Sequence, residues 1–139
     1  MVNLITGPKG SGKTQQMIEL ANEAVKTTDG NVVLIKKSHK DTLSVDFNVR
    51  AICMADYVDI TKVDEFVGFL YGMVAGNNDI ETILIDGILK QADITLDKLP
   101  KFIDTLKKIS KDNKIEFYIS VSATQDQMTG VDFSDCKIL

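Results

Sequence analysis

Met1-Val-Asn-Leu-Ile-Thr6-Gly7-Pro8-Lys9-Gly10-Ser11-Gly12-Lys13-Thr14 is an apolar run that breaks on three glycines and closes on a lysine and a threonine. From Gly7 to Thr14 it fits G-x-x-x-x-G-K-S/T at every required position. The flanks suit the motif. Met1 to Thr6 reads as a buried strand. Lys13 to about Lys26 reads as a helix, with Met17, Leu20, Ala21, Ala24 and Val25 at helical spacing. A glycine-rich turn between a strand and a helix is suited to holding a polyphosphate. Gly7, Gly10 and Gly12 let the backbone curl so that its N–H groups face inward as an anion nest. The helix adds the positive end of its dipole. Lys13 is expected to reach the β- and γ-phosphates, and the Thr14 hydroxyl to ligate Mg²⁺. Pro8 stiffens the loop, Lys9 faces phosphate or solvent, and Ser11 completes the cofactor-binding run.

Outward from this loop, strands and helices alternate, which predicts an α/β fold with a largely parallel sheet. Asp29-Gly30 ends the first helix, with Gly30 as its helix-end residue. Val32 to Ile35 reads as a second buried strand. Residues 36–50 are polar and resist assignment, and Val49 to Met54 is a candidate short strand. Thr61 opens a second helix as its cap, with Asp64 at the third helical position. Val63, Phe66, Val67, Leu70, Met73 and Val74 share one face of it, and Gly76-Asn77-Asn78 stops it. Thr82 to Asp86 reads as a third strand. A further helix starts near Lys98, with Asp97 as cap and Pro100 in the first turn. Ile115 to Val121 reads as a fourth strand, and Lys137 to Leu139 as a candidate edge strand. No linker or repeat divides the chain, so residues 1–139 are expected to form one nucleotide-binding domain.

Ile83-Leu-Ile-Asp86 supplies the acid that a phosphate loop usually needs at the end of a buried strand. Asp86 is expected to hold a magnesium-bound water near Thr14. Gly87 follows it, where many ATP-hydrolysing proteins place a glutamate as general base. The remaining candidates for a base or a γ-phosphate sensor are Gln91, Asp93, Ser122, Thr124 and Gln125.

The bulk numbers narrow the functional classes. A net charge of -4 argues against a broad nucleic-acid-binding face, without excluding a local basic pocket. Among 16 Lys plus Arg there is a single arginine, Arg50, so the chain offers one guanidinium fork for a transferring phosphoryl group. Cys53 and Cys136 form no Cys-x-x-Cys pair, so a zinc site of ordinary spacing is not expected. Two unpaired thiols fit a reducing cytosol. The first apolar run is too short for a signal peptide or a membrane span. The expected location is cytoplasmic.

Some signals lose to simpler readings. Thr61-Lys-Val-Asp64 matches the N/T-K-x-D pattern that reads guanine but precedes Asp86 instead of following it. Asn113-Lys-Ile-Glu116 lies before its strand. With no guanine reader, ATP is the default nucleotide. His39, the only histidine, sits among Lys36, Lys37, Ser38, Lys40 and Asp41 and reads as solvated, with substrate contact as the alternative. The lysines read as a solvated run that could thicken the positive potential over a polyphosphate.

Strand, Gly7–Thr14, helix and Asp86 together resemble the P-loop NTPase superfamily over most of the chain. That resemblance implies Lys13 on phosphate, Thr14 on magnesium and Asp86 on a magnesium-bound water, with Lys13 and Asp86 as the catalytic pair. It implies a three-layer α/β/α sandwich around a mainly parallel sheet of about five strands. Small polar residues after the fourth strand resemble the RecA-like, additional-strand division, which implies strand order 5-1-4-3-2. The layout is also distantly similar to the N-terminal part of zinc-containing thymidine kinases. The base after Asp86, the zinc cysteines and the thymidine-holding segment lack counterparts, so thymidine phosphorylation is not expected.

The function these features imply is Mg²⁺-dependent ATP binding, with weak or partner-stimulated hydrolysis, in a switch or an assembly subunit. A homo-oligomer or protein partner would complete such a site. A small-molecule, nucleoside-type kinase is the alternative, and a non-catalytic module with a vestigial site is a second.

Overall fold

Apolar residues alternate between two destinations along each central strand, which requires helices on both faces of one sheet. The computed structural model describes residues 1–139. Its elements are β1 (Val2–Thr6), α1 (Lys13–Thr27), β2 (Asn31–Lys36), β3 (Arg50–Cys53), α2 (Val63–Gly76), β4 (Ile80–Ile85), α3 (Leu99–Asn113), β5 (Glu116–Val121) and β6 (Cys136–Ile138). Ile5, Val32, Leu34 and Leu84 pack with Met17, Ile18 and Ala21 of α1 on one face. Leu4, Val33, Ile35, Ile83, Ile85, Phe117 and Ile119 pack with α2 and α3 on the other. Burying each such side chain is worth roughly 1.5–3 kcal/mol. Three layers result, and no helix is long and apolar enough to cross a membrane.

The strand order is β3-β2-β4-β5-β1-β6, and every neighbouring pair is parallel. β5 lies between β1 and β4, which is the insertion expected of the strand after Asp86. The sheet has six strands, not about five, because both candidate short strands form. β3 extends the sheet beyond β2, and β6 pairs with β1. Neither is long enough to show a periodicity.

Helix starts differ slightly from expectation. Lys62, not Thr61, caps α2, and Asp64 is its second residue. The Glu65 carboxylate, at the third position, accepts from the amides of Thr61 and Lys62, both at 2.9 Å. Glutamate reaches back where the shorter Asp64 cannot. These amides, with the Thr61 hydroxyl, hold the Glu65 carboxyl below its ordinary range. α3 is capped at Lys98 instead of Asp97, with Pro100 in the first turn as expected.

Gly30 does not end α1. The C-cap is Thr28, and Gly30 is needed for close approach. A Cβ there would lie 2.6 Å from the Asp79 carbonyl oxygen, which accepts the Asn31 amide at 2.7 Å. Gly30→Ala is expected to destabilise the chain by about 1–3 kcal/mol through displacement of that carbonyl. Urea unfolding checks this, and an unchanged midpoint would refute the crowding.

Candidate functional site

Parallel strands bring their C-terminal ends to one edge of the sheet. The Gly7–Thr14 loop leaves β1 there, Lys37 follows β2, Asp86 follows β4 and Ser122 follows β5. Ligands of open α/β sheets bind along this edge. A cavity of about 460 Å³ opens at it.

The local backbone explains the loop. Gly7, Gly10 and Gly12 adopt φ of 144°, 85° and 84°, a region that favours glycine. Gly12 is the left-handed N-cap of α1 and brings no side-chain cap. The first turn of α1 carries no acidic residue, whereas α2 carries Asp64 and Glu65 there. No acceptor in the chain meets the amides of Gly10, Gly12, Lys13 or Thr14. Gly10, Gly12, Lys13 and Thr14 all line the cavity. The positive end of α1 is therefore open toward it.

Lys13 sits above the loop with its ammonium donating to the carbonyls of Gly7 (3.0 Å) and Pro8 (2.7 Å) and to Ser11 Oγ (3.3 Å). Burial pushes its pKa below the ordinary lysine value. Asp86 opposes that shift, and the nearby positive charge of Lys90 adds to it. Pro8 also accepts from Ser11 Oγ at 2.7 Å, so the loop is braced on itself.

Asp86 points toward the loop. Its carboxylate accepts from Thr14 Oγ1 at 3.1 Å and from Ser120 Oγ at 2.9 Å. Ser120 Oγ in turn accepts the Gly87 amide at 2.6 Å. Ser120 was missed by sequence reasoning, which looked to Ser122 and Thr124. A lone buried serine within the apolar run of β5 was the available signal.

The other predicted residues separate. Ser122 lines the cavity. Gln91 is fully buried and donates to the Asp86 carbonyl at 3.1 Å, so it braces the strand end instead of facing the cavity. Asp93 accepts from the Val63 amide at the start of α2 and from Lys98, the cap of α3. Thr124 is tied to Gln127 in a capping box of a short turn that includes Gln125. Arg50 opens β3 at the opposite edge of the sheet. His39 is exposed and lies outside the cavity lining, donating to Asp56 at 2.9 Å.

The polar stretch after β2 becomes part of the site. Lys36, Lys37, Ser38, Lys40 and Asp41 line the cavity with Lys9, Lys13 and Lys90, so six lysines face two carboxylates, Asp41 and Asp86. Lys36 is buried and donates to the Lys40 carbonyl, which folds the segment over the site. No hydrophobic side chain lines this cavity. An excess of positive charge beside free amides suits a compact, highly charged anion.

No family model matches this chain, and no curated protein matches it.

Proposed function

We propose that this chain is a Mg²⁺-dependent ATP-binding protein of the P-loop NTPase type, with slow or partner-stimulated hydrolysis. One observation carries the reading: four unpartnered main-chain amides and six lysines line a single cavity that also contains the Thr14–Asp86 pair. The amides and Lys13 take the β- and γ-phosphates. Thr14 and Asp86 hold magnesium, directly and through water, and Ser120 orients Asp86.

Slow turnover follows from the lack of a base beside Asp86. Gly87 occupies the position after Asp86, and among the candidate bases and sensors only Ser122 lines the cavity. A hydroxyl is a poor general base at neutral pH. Arg50 stands at the far edge, so an arginine clamp on the transferring group would come from a partner or a second copy. That arrangement suits a switch or an assembly subunit. The two free thiols fit a cytoplasmic protein.

Asp41 favours a second reading. It is a carboxylate on the cavity wall, where it could accept the proton of a small hydroxyl acceptor in a kinase reaction.

A titration panel tests both. Triphosphates with Mg²⁺ are expected to raise the melting temperature more than diphosphates, and monophosphates least. ATP and GTP should differ by less than about tenfold in affinity, because base stacking, worth roughly 1–3 kcal/mol elsewhere, has no apolar wall here. Phosphate release into water supports the ATPase reading, and transfer to a nucleoside supports the kinase. No thermal response to any triphosphate would remove both.

A further inference from the structure

Cys53, His39 and Asp56 are separated in sequence and match no metal-binding spacing. The fold nonetheless gathers them. Cys53 ends β3, Asp56 lies in the single 3₁₀ turn that follows, and His39 belongs to the segment after β2. One ligand atom from each lies within 4.8 Å of the others. His39 Nε2 and Asp56 Oδ1 are 2.9 Å apart. The Cys53 thiol donates to the Lys37 carbonyl at 3.4 Å, an oxygen that also accepts the Ala55 amide at 3.1 Å.

We propose that Cys53, His39 and Asp56 form a binding site for a zinc-class divalent ion, separate from the magnesium position at Thr14 and Asp86. Donors around tetrahedral zinc lie roughly 3–4 Å from one another, so side-chain adjustments of about 1 Å complete the set. A thiolate with an imidazole selects a borderline-soft ion over magnesium. The charges suit the surroundings. One thiolate and one carboxylate neutralise a divalent ion, so the filled site is neutral beside Lys37 and Lys40. On binding, the thiol proton leaves to solvent, and the Lys37 carbonyl keeps the Ala55 amide. His39 and Asp56 are exposed on their outer sides, which leaves a fourth position for water. The ion would tie the lysine-bearing segment after β2 to the end of β3.

Cobalt(II) is the probe, added to the full chain under reducing conditions with and without millimolar Mg²⁺. The expected result is one ion per chain and a thiolate-to-cobalt charge-transfer band that Mg²⁺ does not displace and Zn²⁺ does. Cys53→Ser should abolish the band, and Cys136→Ser should leave it. His39→Ala and Asp56→Asn alter exposed side chains and should each weaken binding by at least about tenfold, with the chain still folded by circular dichroism. No band at equimolar cobalt overturns the proposal. So does a band that survives Cys53→Ser, or binding unchanged in both exposed-residue variants. None of these readouts uses nucleotide, so the outcome is independent of the phosphate loop.

Discussion

Lys13→Ala is expected to erase the rise in melting temperature that Mg²⁺ and ATP give the native chain. At a ligand concentration 100 times the Kd, binding adds about 2.7 kcal/mol, or about 8–10 °C for a domain of this size. Two charge-assisted contacts from the ammonium are worth about 1.5–3 kcal/mol each. Their loss weakens binding by about a hundredfold or more, and the residual shift falls below about 1.5 °C. The free variant should stay folded, since Lys13 bonds only within its own loop and the uncovered carbonyls can take water. A shift that persists in Lys13→Ala would place the nucleotide elsewhere. Alkaline pH supplies a second check on the native chain. Burial lowers the Lys13 pKa, so the charge is lost from the free protein below the ordinary 10.5, and nucleotide affinity should begin to fall there. Folding stability moves the other way. The unfolded chain holds that proton more tightly, so the cost of burying the cation is relieved as pH rises from the lowered value to 10.5.

Asp86→Asn is expected to uncouple nucleotide binding from magnesium. In the native chain Mg²⁺ should tighten ATP binding by on the order of tenfold or more, because a second-sphere carboxylate fixes the ion's water. In the variant, titrations with Mg²⁺ and with EDTA should converge, and phosphate release should fall to background. The metal-free affinity should not drop, since a negative charge has been removed from beside the phosphates. Asparagine retains an oxygen for Thr14 and Ser120, so the fold is preserved. A variant that still distinguishes Mg²⁺ from EDTA would take Asp86 out of the metal's surroundings.

The elements with long apolar periods were legible. Met17, Leu20 and Ala21 announce α1, while Phe102, Ile103, Leu106 and Ile109 announce α3. Ile83 to Ile85 announce β4 and point to Asp86 at its end. The turn from Gly7 to Thr14 was legible because glycine, lysine and threonine at fixed offsets report local backbone demands. The segment from Lys36 to Asp41 was not. Its lysines are identical in composition to a solvated run, and only pairing of β2 with β3 and the Ala55–Lys37 hydrogen bond bring them to the cavity. Lys90 was hidden for the same reason, since a single turn carries no period. Ser120 and the meeting of His39, Cys53 and Asp56 depend on strands adjacent in space, which linear spacing does not encode. The sixth strand rests on three residues whose only argument for being a strand is the exposed edge of β1.

The pairing of β1 sets an order in which the molecule can be assembled. Its two neighbours are β5 and β6, and β5 begins about 110 residues after β1 ends. A nascent chain emerging from the ribosome can join β2, β3 and β4 early, but Val2–Thr6 waits with both edges bare until Glu116–Val121 arrives. Closing so large a loop is slow, and an unpaired apolar strand is a site for aggregation meanwhile. The Gly7–Thr14 loop is therefore made well before the sheet that carries it can close around β1.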